Sequence, residues 1–110
     1  MSDCIFCKII AGEIPSTKVY EDEYVLAFND INPQAPTHIV VIPKEHITSA
    51  TEINPENSQL IGNVFAAIAK IATEQCLESY RIINNCGAGA GQTVFHIHFH
   101  LLGGRKFGAF

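Results

Sequence analysis

The chain has 110 residues, 47% of them hydrophobic, and its formal net charge at pH 7 is −4. This length suits one compact domain over residues 1–110 and is too short for two, and such a domain buries about two-thirds of its unfolded surface without needing disulfide bonds. The acidic balance and the lack of a basic run argue against binding of nucleic acid polymers, which requires clustered Lys and Arg to displace counterions. A single nucleotide, held locally by backbone amides and histidines, is not excluded.

The N-terminal segment and the cysteines indicate the compartment. No segment approaches the ~20 apolar residues that span a bilayer, and residues 1–4 are not basic, so neither a membrane anchor nor a secretory signal is expected. We therefore predict a cytoplasmic protein with no membrane partner, whose cysteines are reduced. The close pair Cys4 and Cys7 then indicates metal or redox chemistry, whereas the isolated Cys76 and Cys86 are predicted to be core residues.

Hydrophobic spacing predicts the elements in chain order. Helical spacing predicts a helix over residues 4–10 and a longer helix with Asn54 as its cap and Pro55 as its first residue. Apolar runs predict strands at 19–21, 24–28, 38–42, 81–85 and 94–102. The run 38–42 is so uniformly apolar that both of its faces should be covered. Since βα units do not alternate, the predicted fold class is α+β with a mainly antiparallel sheet.

Small residues widen the apolar stripe of the long helix. Ala66, Ala67 and Ala69 allow close approach of a second surface. That surface is either the domain's own sheet or a partner subunit, and the helix alone does not distinguish the two.

The segment Phe95–Leu101 is the most informative part of the chain. If it is a strand, alternation places His96, His98 and His100 on one face and the intervening apolar residues on a core-facing side. Three histidines in strict register are unusual for a merely half-exposed strand. A metal site formed by all three is also disfavoured, because His96 and His100 would lie ~13 Å apart along a straight strand, whereas zinc–nitrogen bonds measure ~2.0–2.1 Å. A division of the histidines between two sites is easier to build.

A glycine-rich loop, residues 87–93, directly precedes the histidine segment. Its glycines would let backbone N–H groups curl around an anion such as phosphate. A flexible turn would have the same sequence. The loop lies between two predicted strands, so it is neither a Walker loop nor a Rossmann fingerprint, both of which lead into a helix.

Three segments carry a resemblance that covers nearly the whole chain: residues 4–15 (CIFCKIIAGEIP), 26–47 (LAFNDINPQAPTHIVVIPKEHI) and 91–104 (GQTVFHIHFHLLGG). They resemble the histidine triad family, specifically its Hint branch of purine nucleotide phosphoramidases, and the last segment contains the pattern His-x-His-x-His-x-x. The resemblance implies a five-stranded antiparallel sheet with two helices, and a homodimer with one ten-stranded sheet. It also implies hydrolysis of an adenosine or guanosine 5′-phosphoramidate to the monophosphate and an amine, with no cofactor required for the chemistry.

The resemblance assigns roles to four histidines. His98 would be the nucleophile, forming a covalent nucleotidyl-histidine that water then cleaves. Its Nδ1 proton would be donated to the backbone carbonyl of His96, leaving Nε2 free to attack. His100 matches the position that binds the α-phosphate. His38 matches a histidine that steers proton transfer, although its residue type alone fits a hydrogen-bonded core histidine equally well.

The resemblance also assigns the nucleotide contacts. Asp30 would hold the ribose hydroxyls, although the residues alone equally predict a carboxylate that caps the turn before Pro33. Apolar walls around the base, which would otherwise be ordinary core, would come from Ile5, Phe6, Ile9, Phe28, Ile31 and Val40. Contacts to the phosphate and the leaving group would come from Asn85, Gly91, Gln92 and Thr93. Asn29, which also falls in the nucleotide site, and Thr93 depart from the family, where histidine and serine are usual.

Cys4 and Cys7 form a C-x-x-C motif, which is half of a zinc site. A redox role would require a βαβ context, and this segment lacks one. Relatives with these cysteines resemble this chain in also having His46 and the first triad histidine, His96. The resemblance therefore implies a structural zinc that joins the N-terminal helix to the sheet, and the alternative is a pair of reduced, half-buried thiols.

The sequence leaves two alternative functions open, hydrolysis of dinucleoside polyphosphates and non-catalytic binding. The sister Fhit branch hydrolyses dinucleoside polyphosphates, although the Gly103-Gly104-Arg105 tail favours the phosphoramidases. The uridylyltransferase branch has glutamine in place of the third histidine, whereas this chain has His100. A non-catalytic nucleotide- or zinc-binding interaction module is the alternative outside enzymology, and the intact triad argues against it.

Overall fold

The computed structural model describes residues 3–110, so the first two residues of the predicted domain lie outside the description. The helices and strands are α1 Ile5–Ile10, β1 Lys18–Glu21, β2 Val25–Asn29, β3 Thr37–Pro43, α2 Ser58–Glu74, β4 Tyr80–Ile83 and β5 Phe99–Gly103. Short 3-10 helices lie at Ala50–Glu52 and Ala88–Ala90. No helix within residues 3–110 is long and apolar enough to cross a membrane.

The strands form one five-stranded sheet in the order β1-β2-β3-β5-β4, and every neighbouring pair is antiparallel. This confirms the predicted α+β class with two helices. The last strand inserts between β3 and β4, so that His100 pairs with Val40 on one side and Ile83 on the other. The C-terminal histidine segment is thus brought to the centre of the sheet.

The sheet separates two apolar layers. On one face α2 packs through Val64, Ile68 and Ile71 against side chains of the central strands. On the other face the six-residue helix α1 packs Phe6 and Ile9 against β2 and β3. Strand β3 is covered on both sides, as its apolar run predicts. Because α1 is short, it leaves part of its face of the sheet open, and this opening is where the histidines lie.

The predicted boundary of the long helix is wrong by one turn. Helix α2 begins at Ser58 rather than Pro55. Asn54 does cap the preceding turn, since its Oδ1 accepts the backbone N–H groups of Glu56 and Asn57 at 2.9 and 3.1 Å. Of the three alanines, Ala67 is buried against the domain's own sheet, whereas Ala66 and Ala69 are exposed on the outer face of α2.

The prediction of a strand over residues 94–102 is also wrong at its start, because β5 begins only at Phe99. The N–H of Ile97 donates to the carbonyl of Ile47 at 2.6 Å instead of joining the sheet, and Val94 O accepts from the side chain of Gln92. Residues 94–96 therefore form a bend along the 47–48 loop, and Phe95 is 48% exposed rather than core-facing.

The isolated cysteines are not core residues. Both Cys76 and Cys86 are exposed. Cys76 follows the end of α2 with a positive φ of 59°, and Cys86 lies in the loop after β4, where its Sγ is 3.1 Å from the hydroxyl of Thr51. Each is therefore in a connecting segment, where apolar residue type does not decide burial.

We expect Gly104→Ala to destabilise the protein, because Gly104 has a φ of +89° and a Cβ there would lie 2.9 Å from Cβ of Pro36. An alanine would be strained in this left-handed backbone conformation, and its Cβ would clash with the loop before β3. Together these effects should lower the free energy of unfolding by about 1–3 kcal/mol. The measurement is the free energy of unfolding by urea at a fixed protein concentration. Gly108→Ala, where nothing lies within 4 Å of the added Cβ, is the control, and equal effects of the two substitutions would contradict the argument.

Candidate active site

One hydrogen bond determines which nitrogen of His98 is available for chemistry. Its Nδ1 lies 2.8 Å from the backbone carbonyl oxygen of His96. A carbonyl oxygen can only accept, so Nδ1 carries the proton and Nε2 keeps its lone pair. The ring is buried, and the edge-on contact with the ring of Phe6, with centroids 5.1 Å apart, holds its orientation. The available lone pair of His98 therefore belongs to Nε2.

Two consecutive hydrogen bonds determine the tautomers of His38 and His100. The backbone N–H of Gln34 donates to Nδ1 of His38 at 2.9 Å, so the proton of His38 is on Nε2. That Nε2 lies 2.9 Å from Nδ1 of His100 and donates to it. His100 in turn has its proton on Nε2, where it can donate to a ligand. The nitrogens of His98 and His100 that remain available to a ligand therefore differ: Nε2 of His98 is a hydrogen-bond acceptor, whereas Nε2–H of His100 is a donor.

The pKa of His100 is consistent with its role in this series of hydrogen bonds. Burial, followed by the nearby rings of His98 and His38, lowers the pKa of His100 to about 4. At neutral pH the ring is therefore uncharged and acts as a hydrogen-bond donor rather than as a cation. Its solvent exposure of 20% leaves one edge open to a ligand.

Asp30 is placed at the edge of the same cluster. Its Oδ1 accepts the backbone N–H of Asn32 at 2.7 Å, which is the turn-capping role. Its Oδ2 lies 3.3 Å from Nε2 of His38 and 3.9 Å from Nδ1 of His100. These three side chains are close enough to hold a metal, but the Gln34 amide keeps the proton of His38 on Nε2, so the arrangement is a hydrogen-bonded network.

A cavity of about 690 Å³ opens between α1 and the sheet in front of these histidines, and we call it the first cavity. Predicted site residues that line it are Ile5, Phe6, Ile9, Phe28, Asn29, Asp30, Ile31, Val40, Thr93, His98 and His100. Ile31 is 98% exposed at the mouth, so it is a rim residue rather than a wall. Sequence reasoning missed Ile14, Pro15, Ser16, Thr17, Asn32 and Val94, which also line the cavity.

The remaining predicted contacts lie elsewhere. Asn85 and His38 line a smaller concavity on the other side of His100, which we call the second cavity. Gln92 is buried, and its side chain accepts from Gly87 N–H and donates to the carbonyls of Thr48 and Val94. All of its side-chain polar atoms are thus used to brace the glycine loop, so its predicted contact with phosphate is not available from this conformation.

Two supporting groups were not foreseen. Asn84 donates from Nδ2 to the carbonyl oxygen of His98 at 2.8 Å, which ties the end of β4 to the triad. The amide of Gln34 sets the tautomer of His38, as described above. Asn84, a polar residue next to Asn85 at the end of a strand, could have been noticed in the sequence. The Gln34 amide could not, because it is a backbone N–H that every residue except proline possesses.

The four predicted metal ligands come together beside the triad. The Nδ1 of His96 lies 3.4 Å from Sγ of Cys4 and 3.6 Å from Sγ of Cys7, and Cys7 Sγ lies 3.4 Å from Nδ1 of His46. Tetrahedral zinc with its usual bond lengths separates its sulfur and nitrogen ligands by about 3.6 Å. The spacing of Cys4, Cys7, His46 and His96 therefore fits one tetrahedral ion.

The chemistry of the cluster also fits a cation. The Nε2 of His96 donates to the carbonyl oxygen of Pro43 at 2.8 Å, so its Nδ1 lone pair faces the thiols. Burial lowers the pKa of His96 to about 4, which keeps it neutral. Burial and the neighbouring Cys4 raise the pKa of the Cys7 thiol to about 11. A bound cation would instead favour the thiolate forms.

Comparisons with known proteins identify relatives of this chain. The family model described as "Scavenger mRNA decapping enzyme C-term binding" matches residues 3–108. The chain is 47% identical over 108 residues to the purine nucleoside phosphoramidase of Escherichia coli (strain K12), covering 96% of this chain and 91% of that protein. It is 49% identical over 108 residues to the 14 kDa zinc-binding protein of Zea mays, covering 96% and 84% of the two chains.

The similarity extends to solved structures. A HIT family hydrolase from Clostridium thermocellum superposes with a TM-score of 0.96 at 51% identity, covering 99% of this chain and 96% of that one. A histidine triad protein from Clostridium difficile also superposes with a TM-score of 0.96, at 50% identity over 100% and 97% of the chains. Shared sequence and a common fold along almost the entire chain show that this protein belongs to the histidine triad family.

Proposed function

We propose that this protein hydrolyses purine nucleoside 5′-phosphoramidates to the nucleoside monophosphate and an amine through a covalent nucleotide on His98. The observation that carries the proposal is the hydrogen bond from Nδ1 of His98 to the His96 carbonyl, because it leaves an unprotonated Nε2 in a buried ring that lines the first cavity. The phosphoramidase activity named for the Escherichia coli relative supports the choice of substrate.

The first cavity suits the nucleoside. Its volume of about 690 Å³ is in the usual range for small-molecule sites, and apolar area dominates its lining. Phe6 and Phe28 meet edge to face at 5.5 Å and form an aromatic wall that a base can pack against. Asp30 and Asn29 at the polar side of the cavity would take the ribose hydroxyls.

The reaction proceeds in two displacements. Nε2 of His98 attacks phosphorus, the P–N bond breaks, and the positive charge on the ring is stabilised by the bond from Nδ1–H to the His96 carbonyl. The Nε2–H of His100 donates to a phosphate oxygen as negative charge develops in the transition state. Water then attacks phosphorus, breaks its bond to His98 and releases the monophosphate. The leaving nitrogen takes a proton from solvent as the P–N bond breaks, and the attacking water returns a proton to solvent in the second step, so one water molecule is consumed over both steps.

We expect His98→Ala to lower turnover of an adenosine 5′-phosphoramidate by about 10⁴-fold or more, since it removes the nucleophile. A reaction quenched in base and analysed by mass spectrometry should show AMP on His98 in the parent protein and none in the variant. The control is Glu78→Gln, an exposed residue outside both cavities.

The same assay separates the alternatives. Faster cleavage of a dinucleoside polyphosphate than of the phosphoramidate would favour the polyphosphate hydrolases. Tight binding of AMP by a protein with no turnover of either substrate would favour a non-catalytic binding module. Unchanged phosphoramidate turnover in the His98→Ala variant would contradict the proposed nucleophile.

We further propose that Cys4, Cys7, His46 and His96 bind a structural zinc ion. When bound, such an ion would supply cross-linking of α1 to the loop at His46 and to the histidine segment, rather than chemistry on the substrate. The spacing of the four ligand atoms, all within 4.8 Å of one another, supports this assignment. The name of the zinc-binding relative from Zea mays is consistent with it.

We expect Cys7→Ser to remove zinc and to lower the melting temperature, because tetrahedral coordination loses one of its four ligands. The measurement is metal content by mass spectrometry together with a thermal unfolding curve. Cys76→Ser is the matched control, since Cys76 is exposed and is not part of the cluster. Equal zinc content in both variants would contradict the proposed ligand set.

We also propose a homodimer in which the β4 edges of two copies extend the sheet to ten strands. Within the described residues β4 pairs only with β5, so its outer edge has free backbone groups. Phe65 on α2 and Tyr80 on β4 are 44% and 38% exposed, and the small residues Ala66 and Ala69 on α2 would permit close approach. This surface is apolar and continuous with a free strand edge, which favours a second copy as its occupant.

We expect Ala66→Arg to convert a dimer into a monomer, because the large cation would be buried against the partner's apolar surface. Molar mass from light scattering during gel filtration is the measurement. Ala90→Arg, exposed in the loop after β4, is the control for an added charge. A monomeric mass for the parent protein, or a dimeric mass for Ala66→Arg, would contradict this interface.

A further inference from the structure

The second cavity has a composition different from that of the first. It measures about 290 Å³ and shares His100 with the first cavity, but its walls include Arg81, Arg105 and Phe107. A ligand group bound there would lie beside the reacting phosphorus and outside the apolar nucleoside cavity. The position therefore suits the group that is displaced from phosphorus.

Sheet register explains how Arg81 reaches this place. Ile83 on β4 pairs with His100, and Arg81 pairs with Leu102 two residues further along β5. Residues two apart on a strand point to the same face, so Arg81 and His100 share the face that carries the cavities. Their backbone positions are offset by about 7 Å along the strands. A short spacer of a few atoms would bridge this distance from the phosphorus.

The two guanidinium groups flank one aromatic ring. The Arg81 guanidinium lies 5.0 Å, and that of Arg105 4.3 Å, from the centroid of Phe107. Their hydrogen bonds go to backbone carbonyls, those of Gly108 for Arg81 and of Gln34 and Lys106 for Arg105. Among residues 3–110, neither arginine has a carboxylate within 4.0 Å.

This arrangement is unusual for a chain with a net charge of −4. Two cations lie close together with no carboxylate of residues 3–110 within 4.0 Å, and both line a concavity that opens toward solvent. Guanidinium groups bind carboxylate and phosphate through paired hydrogen bonds. The second cavity is therefore complementary to an anion.

We propose that the second cavity binds the leaving amine and selects amines that carry a negatively charged group, a carboxylate or a phosphate, near the nitrogen. This inference rests on the proposed function. Arg81 and Arg105 are then specificity-determining residues, and Phe107 holds their guanidinium planes apart and in place. The nucleoside in the first cavity and the anion in the second would anchor the substrate on both sides of the phosphorus.

The test uses three adenosine 5′-phosphoramidates that differ only in the amine. Their amines are β-alanine, which carries a carboxylate, β-alaninamide, its neutral analogue, and O-phosphoethanolamine, which carries a phosphate. We expect kcat/KM of the parent protein for the β-alanine compound to exceed that for the amide by about tenfold or more, as an ion pair with guanidinium implies. The phosphate compound distinguishes general anion binding from carboxylate selection.

Substitutions test whether the arginines cause the preference for the carboxylate compound over the amide. Arg81→Gln keeps a donor for the Gly108 carbonyl but removes the charge, and it should reduce the carboxylate-to-amide ratio severalfold, as should Arg105→Gln. Arg81→Lys keeps the charge and should retain most of the ratio. Lys106→Gln removes a charge from the same tail outside the cavity and should leave the ratio unchanged. A general loss of folding or chemistry lowers both rates and does not change their ratio.

The outcomes separate this proposal from the one on which it rests. Ready turnover of all three compounds with a ratio near one, or a ratio preserved in the Arg81→Gln, Arg105→Gln double variant, would overturn the anion-selective cavity and leave the phosphoramidase activity standing. No turnover of any compound by the parent protein would overturn both.

Discussion

The hydrogen bond from Nδ1 of His98 to the carbonyl oxygen of His96 is the constraint on which the site depends. An imidazole free to exchange tautomers would expose an N–H to the phosphate in part of the population. A backbone carbonyl cannot donate, so it selects one tautomer and keeps a lone pair on Nε2. Asn84 supports the arrangement from the other side, because its amide bonds the carbonyl of His98 and thereby fixes the backbone that carries the ring.

His96 links the proposed nucleophile to the thiol cluster. Its carbonyl orients His98, whereas its side chain turns away to lie between Cys4, Cys7 and the carbonyl of Pro43. Residue 96 fills both roles from the bend that precedes β5. The cluster also anchors α1, the helix whose Phe6 packs on His98 and whose apolar side chains line the first cavity. A disturbance at the cysteines would therefore reach both the wall of the cavity and the ring of His98.

Charge is distributed unevenly around the triad. The buried ring of His96 and the half-buried ring of His100 are neutral at physiological pH, because burial lowers their pKa values to about 4. The first cavity is mainly apolar, with Asp30 at its edge. Unpaired positive charge appears only beyond His100, at Arg81 and Arg105 among the described lining residues. The two sides of the triad thus offer different chemistry to a ligand, mainly apolar on one side and positively charged on the other.

Motifs and apolar patterns in the sequence identify the fold class, the family and many of the residues that meet at the site. Apolar periodicity located both helices and all five strands, and motif spacing identified the triad and the Cys4–Cys7 pair. The family resemblance supplied the roles of Asp30 and His38 and added His46 and His96 to the cluster ligands. Local patterns failed where a residue's partner is distant in the chain. The bend at residues 94–96 follows from the contact of Ile97 with Ile47, and the exposure of Cys86 follows from its position in a connecting loop.

The tautomers of the histidines and the second cavity, by contrast, arise from contacts that form when the chain folds. Backbone groups such as the Gln34 amide and the carbonyls of His96 and Pro43 select the protonated nitrogens, and every residue has such groups, so residue type carries no signal for them. Arg81 and Arg105 are 24 positions apart in the sequence and become neighbours only through sheet pairing and the return of the tail across β4. Such long-range juxtaposition is a property of the folded chain, because it depends on how strands pair and not on what any one strand contains.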